Sequence, residues 1–165
     1  MTPGGGGRAE VGSGVRAARS WTCRSEAETI ALGRELARRL EGEGALLLEG
    51  PMGTGKTVLT RGVAAELGID PDEVQSPTFT LVHQHTGRGG IVLHHLDLYR
   101  LEPDQVAAIG ADEILAGPGV KVVEWAERLP EPPPEALRVV ARRSAPGERR
   151  FELVDVHGDR GRGAR

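Results

Sequence analysis

Residues 46–57 restrict the possible folds of this chain more than any other stretch. They read LLLEGPMGTGKT, and residues 50–57 fit the pattern G-x-x-x-x-G-K-[ST]. In a loop that wraps polyphosphate, glycines let backbone N–H groups point inward and a lysine places a compact charge at the phosphates. A hydroxyl at the last position can ligate Mg²⁺. Such a loop must follow a strand and open a helix, and the apolar run 45–48 and the helical pattern 58–67 meet both requirements.

Lysine usage separates this interpretation from a chance match in a glycine-rich turn. With 24 glycines, accidental matches are easier. The chain has 21 basic residues, yet its lysines are Lys56 and Lys121 alone, and the first falls on the motif position. Arginine solvates a surface equally well but does not replace a compact ammonium between phosphates. We therefore predict a true phosphate-binding loop.

Composition and charge restrict the class of protein. A length of 165 residues fits one domain with a real core. The formal charge of −3 gives no general attraction to nucleic acid or to an anionic membrane. The single cysteine, Cys23, excludes an internal disulfide, and no apolar run approaches the ~20 residues of a membrane span. We expect a cytoplasmic protein with no membrane contact.

The two ends of the chain differ from its middle. Residues 1–19 are rich in glycine and lack apolar periodicity, so they are predicted to form a disordered arm. Residues 158–165 (GDRGRGAR) are predicted to be a disordered tail. The remaining residues, 20–157, form one predicted domain around the phosphate-binding loop.

The order of the predicted elements indicates an α/β fold. A capping-box pattern, Ser25-x-x-Glu28, opens a helix to residue 40, and helices are also predicted at 56–67 and 102–116. Strands are predicted at 45–49 and 120–125, with hairpins around the turns 87–90 and 145–148. Helices that alternate with strands, followed by hairpins, predict a three-layer domain with a small mixed sheet flanked by helices.

Two acids end apolar runs and are candidates for the partner carboxylate that a phosphate-binding loop needs. Asp97 closes the run 91–96, and Glu124 closes the run 120–123. One carboxylate can hold Mg²⁺ and the other can position water. Strand character alone favours Glu124 for the metal, because its run is short, β-branched and flanked by glycine. The alternatives are a surface salt bridge or turn cap for Asp97 and a solvated strand-end acid for Glu124.

Two threonines are candidates for contact with a γ-phosphate, and four histidines are candidates for metal binding. Thr78 and Thr80 belong to a proline-anchored segment that could reach a γ-phosphate, although threonine also simply suits a strand. The histidines at 83, 85, 94 and 95 alternate inside the predicted hairpin, which does not place three of them on one face. No zinc site is predicted there.

The segments EGPMGTGKT, SPTFTLV, HHLDLYRL and VVEWAERLP, in this order and spacing, resemble the TsaE family over about residues 25–157. The resemblance implies a P-loop ATPase that binds ATP and Mg²⁺. It also implies that the ATP cycle supports the TsaB–TsaD complex, which forms threonylcarbamoyladenosine on tRNA next to the anticodon. Contact with tRNA would be indirect, through that complex.

The resemblance also implies roles for individual residues. Thr57 and Glu124 would hold Mg²⁺, Asp97 and Lys56 would support hydrolysis, and Trp125 would sit beside the site. Further candidates for ATP binding are Gly53, Thr54, Gly55, Lys56 and Thr57 at the phosphates, Ser25 on the adenine side and Thr80 at the γ-phosphate.

One departure from the family pattern lies in the loop itself. The family usually has an acid and an aliphatic residue, as in GDLGAGKT, where this chain has Pro51 and Met52. Proline removes a backbone donor and fixes φ at the start of the loop.

Two other functions use the same loop. A small-molecule or nucleotide kinase also needs an acceptor site and an arginine-bearing lid, for which Arg100 and Arg128 are candidates. A nucleotide-gated binding module would hydrolyse ATP only incidentally. A GTPase is disfavoured because the chain has no N-K-x-D motif.

Overall fold

The computed structural model describes residues 10–11, 15–77 and 80–154. The strands are β1 (Glu10–Val11), β2 (Val15–Cys23), β3 (Gly44–Glu49), β4 (Val82–Thr86), β5 (Val92–Asp97), β6 (Val120–Glu124), β7 (Leu137–Ala145) and β8 (Glu148–Val154). The helices are α1 (Glu26–Arg39), α2 (Lys56–Glu66), α3 (Pro103–Ala108) and α4 (Ala111–Ala116). Short 3-10 turns lie at Pro71–Glu73, Arg88–Gly90 and Ala126–Arg128. The predicted tail, 158–165, and most of the predicted arm lie outside the described residues.

The described strands form a mixed sheet in the order β1-β2-β8-β7-β3-β6-β5-β4. Strands β7, β3, β6 and β5 run parallel to one another, and the outer strands are antiparallel to their neighbours. In the parallel register, Leu48 lies opposite Glu124, which in turn lies opposite Asp97. The carboxyl ends of β3, β6 and β5 therefore meet at one edge of the sheet, where the loop after β3 begins.

Apolar side chains cover both faces of the sheet. One buried cluster joins α1 and α2 to the sheet through residues such as Leu36, Leu59 and Phe151. The other joins α3 and α4 to the opposite face through residues such as Val106 and Leu47. This is the three-layer arrangement that the element order predicts. None of the helices in the described part of the chain is long and apolar enough to cross a membrane.

The predicted capping box at the start of α1 forms in a shifted way. The Ser25 hydroxyl accepts a hydrogen bond from the backbone N–H of Glu28 at 3.1 Å. The Glu28 carboxylate accepts from the N–H of Arg24 at 2.6 Å, instead of from Ser25. The side chains still satisfy donors at the helix entrance.

The sequence prediction is wrong at three places in the fold. The predicted helix 102–116 is two helices, because Gly110 adopts φ 76° between them. Strand β2 begins at Val15, inside the predicted disordered arm, because this segment pairs with β8 as far as Ala17 opposite Val154. Ser76, Pro77, Thr80 and Leu81 are not part of the hairpin strand, which begins at Val82, and Leu81 adopts φ 67° just before it.

Helices α1 and α2 cross at two glycines that allow their backbones to touch. A Cβ added to Gly33 would lie 2.2 Å from the Leu59 carbonyl oxygen and 2.9 Å from the Gly62 Cα. No side chain fits this contact unless the helices separate. Because α2 begins at the end of the phosphate-binding loop, this crossing also positions the loop.

We expect Gly33→Ala to lower the free energy of unfolding by about 1–3 kcal/mol, the usual cost of overpacking. Chemical denaturation measures this change. The matched control is Ala31→Gly on the exposed face of the same helix. Only helix propensity changes there, so the free energy of unfolding should fall by about 1 kcal/mol. A Gly33→Ala variant as stable as the wild type would contradict the close crossing.

Candidate functional site

The phosphate-binding loop is held at its start and open at its end. Glu49, the last residue of β3, pairs through both carboxylate oxygens with the Arg138 guanidinium of β7, at 2.5 and 2.8 Å. Gly53 and Gly55 adopt φ 73° and 93°, a region that residues with a Cβ rarely adopt. Gly55 is also the N-cap of α2, and no side chain among the described residues caps that helix. The first N–H groups of α2 are thus available to an anion, which the helix dipole favours.

A pocket of about 300 Å³ opens at this end of α2. It is lined by Met52, Gly53, Thr54, Gly55, Lys56, Thr57, Val58, Ser76, Asp97, Tyr99, Glu124, Trp125 and Arg149. The lining includes every predicted site residue except Ser25 and Thr80. Residues that are far apart in the sequence therefore meet around one cavity.

The Lys56 ammonium is held by the loop itself. Its Nζ donates to the carbonyl oxygen of Gly50 and, at 3.3 Å, to that of Pro51. It also lies 4.1 Å from the centroid of the Trp125 ring, within the range of a cation–π interaction. Burial lowers the pKa of Lys56, and the carboxylate of Glu124 opposes part of that effect. A bound phosphate would offer this partly desolvated ammonium a charged acceptor in place of neutral carbonyls.

The two predicted acids are both buried, with 2–3% of their surface exposed, but they have different partners. Glu124 accepts from the Thr57 hydroxyl on Oε1 at 2.9 Å, and its Oε2 lies 2.8 Å from Nε2 of His95. Asp97 accepts from the Ser76 hydroxyl on Oδ2 and from the N–H of Tyr99 on Oδ1, both at 2.9 Å. Glu124 is therefore the acid beside the loop hydroxyl.

The donor atoms beside the loop suit magnesium. Mg²⁺ takes oxygen ligands and usually keeps several waters, with one or two carboxylates from the protein. The Thr57 hydroxyl and Glu124 Oε1, 2.9 Å apart, supply one hydroxyl and one carboxylate oxygen. The residues present thus fit the cation that the motif implies.

Trp125 has a backbone conformation that is unusual for a bulky residue. It adopts φ 58° and ψ 42°, so strand β6 ends at Glu124 and not at residue 125 as predicted. This conformation costs about 1–3 kcal/mol and persists only where the surroundings hold it. Here the indole packs against the Tyr99 ring at 4.8 Å between centroids and beneath the Lys56 ammonium. The turn thus places an aromatic face against the motif lysine.

Two predicted ATP-binding residues lie outside the main pocket. The Ser25 hydroxyl caps α1 and lines a separate cavity of about 140 Å³, which shares Gly55, Val58 and Arg149 with the main pocket. The Thr80 hydroxyl lies 2.6 Å from Nε2 of His83 and does not line either cavity. Thr78 lies outside the described residues.

Sequence reasoning missed several residues in and beside the pocket. Ser76 precedes Pro77 in the segment that contains Thr80, and its side chain contacts Asp97. His95 lies two residues before Asp97 on the same face of β5, and this spacing is a signal that could have identified it. Arg143 donates to the Gly53 carbonyl at 3.3 Å, and Arg149 lines the main pocket. Both arginines come from the β7–β8 hairpin, whose position beside the loop has no local signal.

The chain shares sequence and fold with known proteins. A family model described as "Threonylcarbamoyl adenosine biosynthesis protein TsaE" matches residues 23–151. The tRNA threonylcarbamoyladenosine biosynthesis protein TsaE of Nostoc sp. is 39% identical over 130 residues, covering 76% of this chain and 79% of that protein. The Bacillus subtilis protein of the same name is 38% identical over 137 residues, covering 82% and 85%. The crystal structure of Bacillus subtilis YdiB matches with a TM-score of 0.65 and 32% identity, over 87% of this chain and 88% of that one.

Proposed function

The chain belongs to the TsaE family of tRNA threonylcarbamoyladenosine biosynthesis, and from that premise we propose that it is an ATPase whose cycle supports the TsaB–TsaD complex. In this proposal Mg²⁺ and ATP bind in the pocket of about 300 Å³. The chain contacts tRNA only indirectly, through the TsaB–TsaD complex. One observation carries the proposal. The Thr57 hydroxyl and the Glu124 carboxylate are 2.9 Å apart at the uncapped start of α2, with Lys56 in the same pocket.

Phosphate binding is divided among the backbone, Lys56 and the cation. The N–H groups at the start of α2 point to the phosphates, and the Lys56 ammonium exchanges the Gly50 and Pro51 carbonyls for phosphate oxygens. Thr57 and Glu124 would hold Mg²⁺, which would supply positive charge to offset that of the phosphates. Arg149 lines the side of the pocket that lies next to the Ser25 cavity, so its guanidinium adds positive charge there.

Hydrolysis is assigned to Asp97. Water attacks the γ-phosphorus, the bond to the β–γ bridging oxygen breaks, and ADP and phosphate are formed. A carboxylate that orients this water must be fixed, because positioning supplies much of the rate. Ser76 and the Tyr99 N–H fix both oxygens of Asp97. Glu124 is assigned to the metal together with Thr57, so Asp97 is the acid proposed for the water.

The kinase alternative receives no support from Arg128, one of the two arginines proposed for its lid. Arg128 donates to the Leu101 carbonyl at 2.9 Å and lies 5.9 Å from the Trp125 ring centroid. These contacts tie its side chain to the structure beside β6. A lid arginine would have to move onto a bound nucleotide.

Size-exclusion chromatography with purified TsaB and TsaD tests the proposed partnership. We expect this chain to co-elute with the two proteins when Mg²⁺ and ATP are present, and to associate less without nucleotide. Bovine serum albumin in place of TsaB and TsaD controls for nonspecific association. The kinase would be favoured if this chain elutes apart from TsaB and TsaD both with and without nucleotide, and also transfers phosphate to a small acceptor.

A further inference from the structure

We infer that His95 is a positioning residue for Glu124, holding one oxygen of that carboxylate so that the other stays aimed at Thr57 and the metal. The inference rests on the proposed function, because it assigns a residue to the metal side of the same site. His95 lies on β5 and does not itself line the pocket. Its effect on the site is transmitted through Glu124.

The surroundings of His95 are unsuited to a residue that only fills the core. The side chain is 0% exposed, and its Nε2 lies 2.8 Å from Glu124 Oε2. A carboxylate that holds a metal ion only accepts hydrogen bonds, so in the proposed role Nε2 carries the hydrogen of this bond. The other ring nitrogen, Nδ1, has no hydrogen-bond partner among the described residues. Burying an unpaired polar atom costs free energy, and an aliphatic residue, like Leu93 on the same face, would avoid that cost.

Two donors on different oxygens fix the Glu124 carboxylate. The Thr57 hydroxyl bonds Oε1 and the His95 ring bonds Oε2, while the residue is 2% exposed. If the His95 donor were removed, Oε2 would be a buried charged atom without a partner, so the carboxylate would turn to find another. Such a turn would move Oε1 away from Thr57.

The effect of His95 is confined to one of the two acids. Asp97, which lies opposite Glu124 in the sheet register, is held by Ser76 and by the Tyr99 N–H. The groups that face the phosphates, Lys56 and the N–H groups of α2, do not contact His95. Loss of His95 should therefore weaken the metal contribution to binding and leave metal-free nucleotide binding unchanged.

The test is the ratio of two dissociation constants for a non-hydrolysable ATP analogue, measured by titration calorimetry in EDTA and in excess Mg²⁺. We expect this ratio, the dissociation constant in EDTA divided by that in Mg²⁺, to exceed one in the wild type and to report the metal contribution. We expect His95→Leu to lower the ratio by about tenfold or more, the usual loss when an outer partner of a metal ligand is removed. The dissociation constant in EDTA should stay at its wild-type value. His94→Leu, the same change on the opposite face of β5, should leave the ratio unchanged.

A second pair of variants keeps the test decisive if His95→Leu does not fold. The amide nitrogen of glutamine reaches the position of Nε2, whereas that of asparagine reaches only the position of Nδ1. His95→Gln should keep the wild-type ratio and His95→Asn should lose it, while thermal melting shows that both are folded. Equal ratios for these two variants, or a wild-type ratio in folded His95→Leu, would overturn the inference about His95. Either result would leave the proposed function standing. A wild-type protein whose binding ignores Mg²⁺ would overturn the metal part of the proposed function as well.

Discussion

Lys56→Met is expected to raise the Kd for ATP by about 100-fold. The ammonium would form charge-assisted hydrogen bonds to phosphate oxygens, each worth about 1.5–3 kcal/mol, and a loss of about 3 kcal/mol corresponds to roughly 100-fold in affinity. Methionine keeps an unbranched stem against Trp125 and removes only the charge and its donors. Titration calorimetry with a non-hydrolysable ATP analogue measures the change.

Lys121→Met is the matched control for this prediction. Lys121 is also buried, and burial lowers its pKa too, but it lies on β6 opposite Ala45, away from the carboxyl edge of the sheet. The same substitution there should leave the Kd for ATP unchanged. A Lys56→Met variant that binds ATP as tightly as the wild type would contradict the assignment of the loop.

Asp97→Asn is expected to lower kcat for ATP hydrolysis by about 100-fold, because a reactant that is misplaced by about 1 Å can cost that much in rate. Binding of ATP should be unchanged. The amide oxygen can still accept from the Tyr99 N–H, and the Ser76 hydroxyl can accept from the amide nitrogen where it donated to the carboxylate. The fold and the side-chain position are thus preserved while the charge that orients water is lost. Phosphate release under saturating ATP measures kcat.

Asp104→Asn is the control for the aspartate substitution. Asp104 is an exposed residue in the first turn of α3, outside the pocket, so its variant should hydrolyse ATP at the wild-type rate. Wild-type hydrolysis by Asp97→Asn would show that another group positions the water. Loss of both binding and hydrolysis would show that Asp97 acts on the structure of the pocket.

The parts of the fold that follow from local pattern were predictable. Leucines every four residues, with Ser25 as N-cap, predict α1, and the motif itself predicts a strand, a loop and a helix in that order. The failures involve long-range contacts or unusual backbone. The helix breaks at Gly110, where the backbone adopts φ 76°, and Ala111 after it packs into the core. The early start of β2 depends on pairing with β8, which is distant in sequence.

The same distinction applies to the candidate site. Asp97 and Glu124 each end an apolar run, so their common edge could be predicted, and the register places them opposite each other. The turn at Trp125 could not be predicted, because a bulky residue rarely adopts a positive φ. Arg149 reaches the pocket only through the β7–β8 hairpin, whose pairing with β3 has no local sequence signal.

Multiple-turnover formation of threonylcarbamoyladenosine on tRNA tests the central claim most directly. Purified TsaB and TsaD would be supplied with tRNA, an activated threonylcarbamoyl donor, Mg²⁺ and ATP, with either the wild-type chain or Asp97→Asn. Because the ATP cycle is proposed to support turnover of the complex, we expect repeated rounds with the wild type. With the variant, we expect product to stop at no more than one equivalent of the complex. Sustained turnover with Asp97→Asn at the wild-type rate would contradict a role for ATP hydrolysis by this chain.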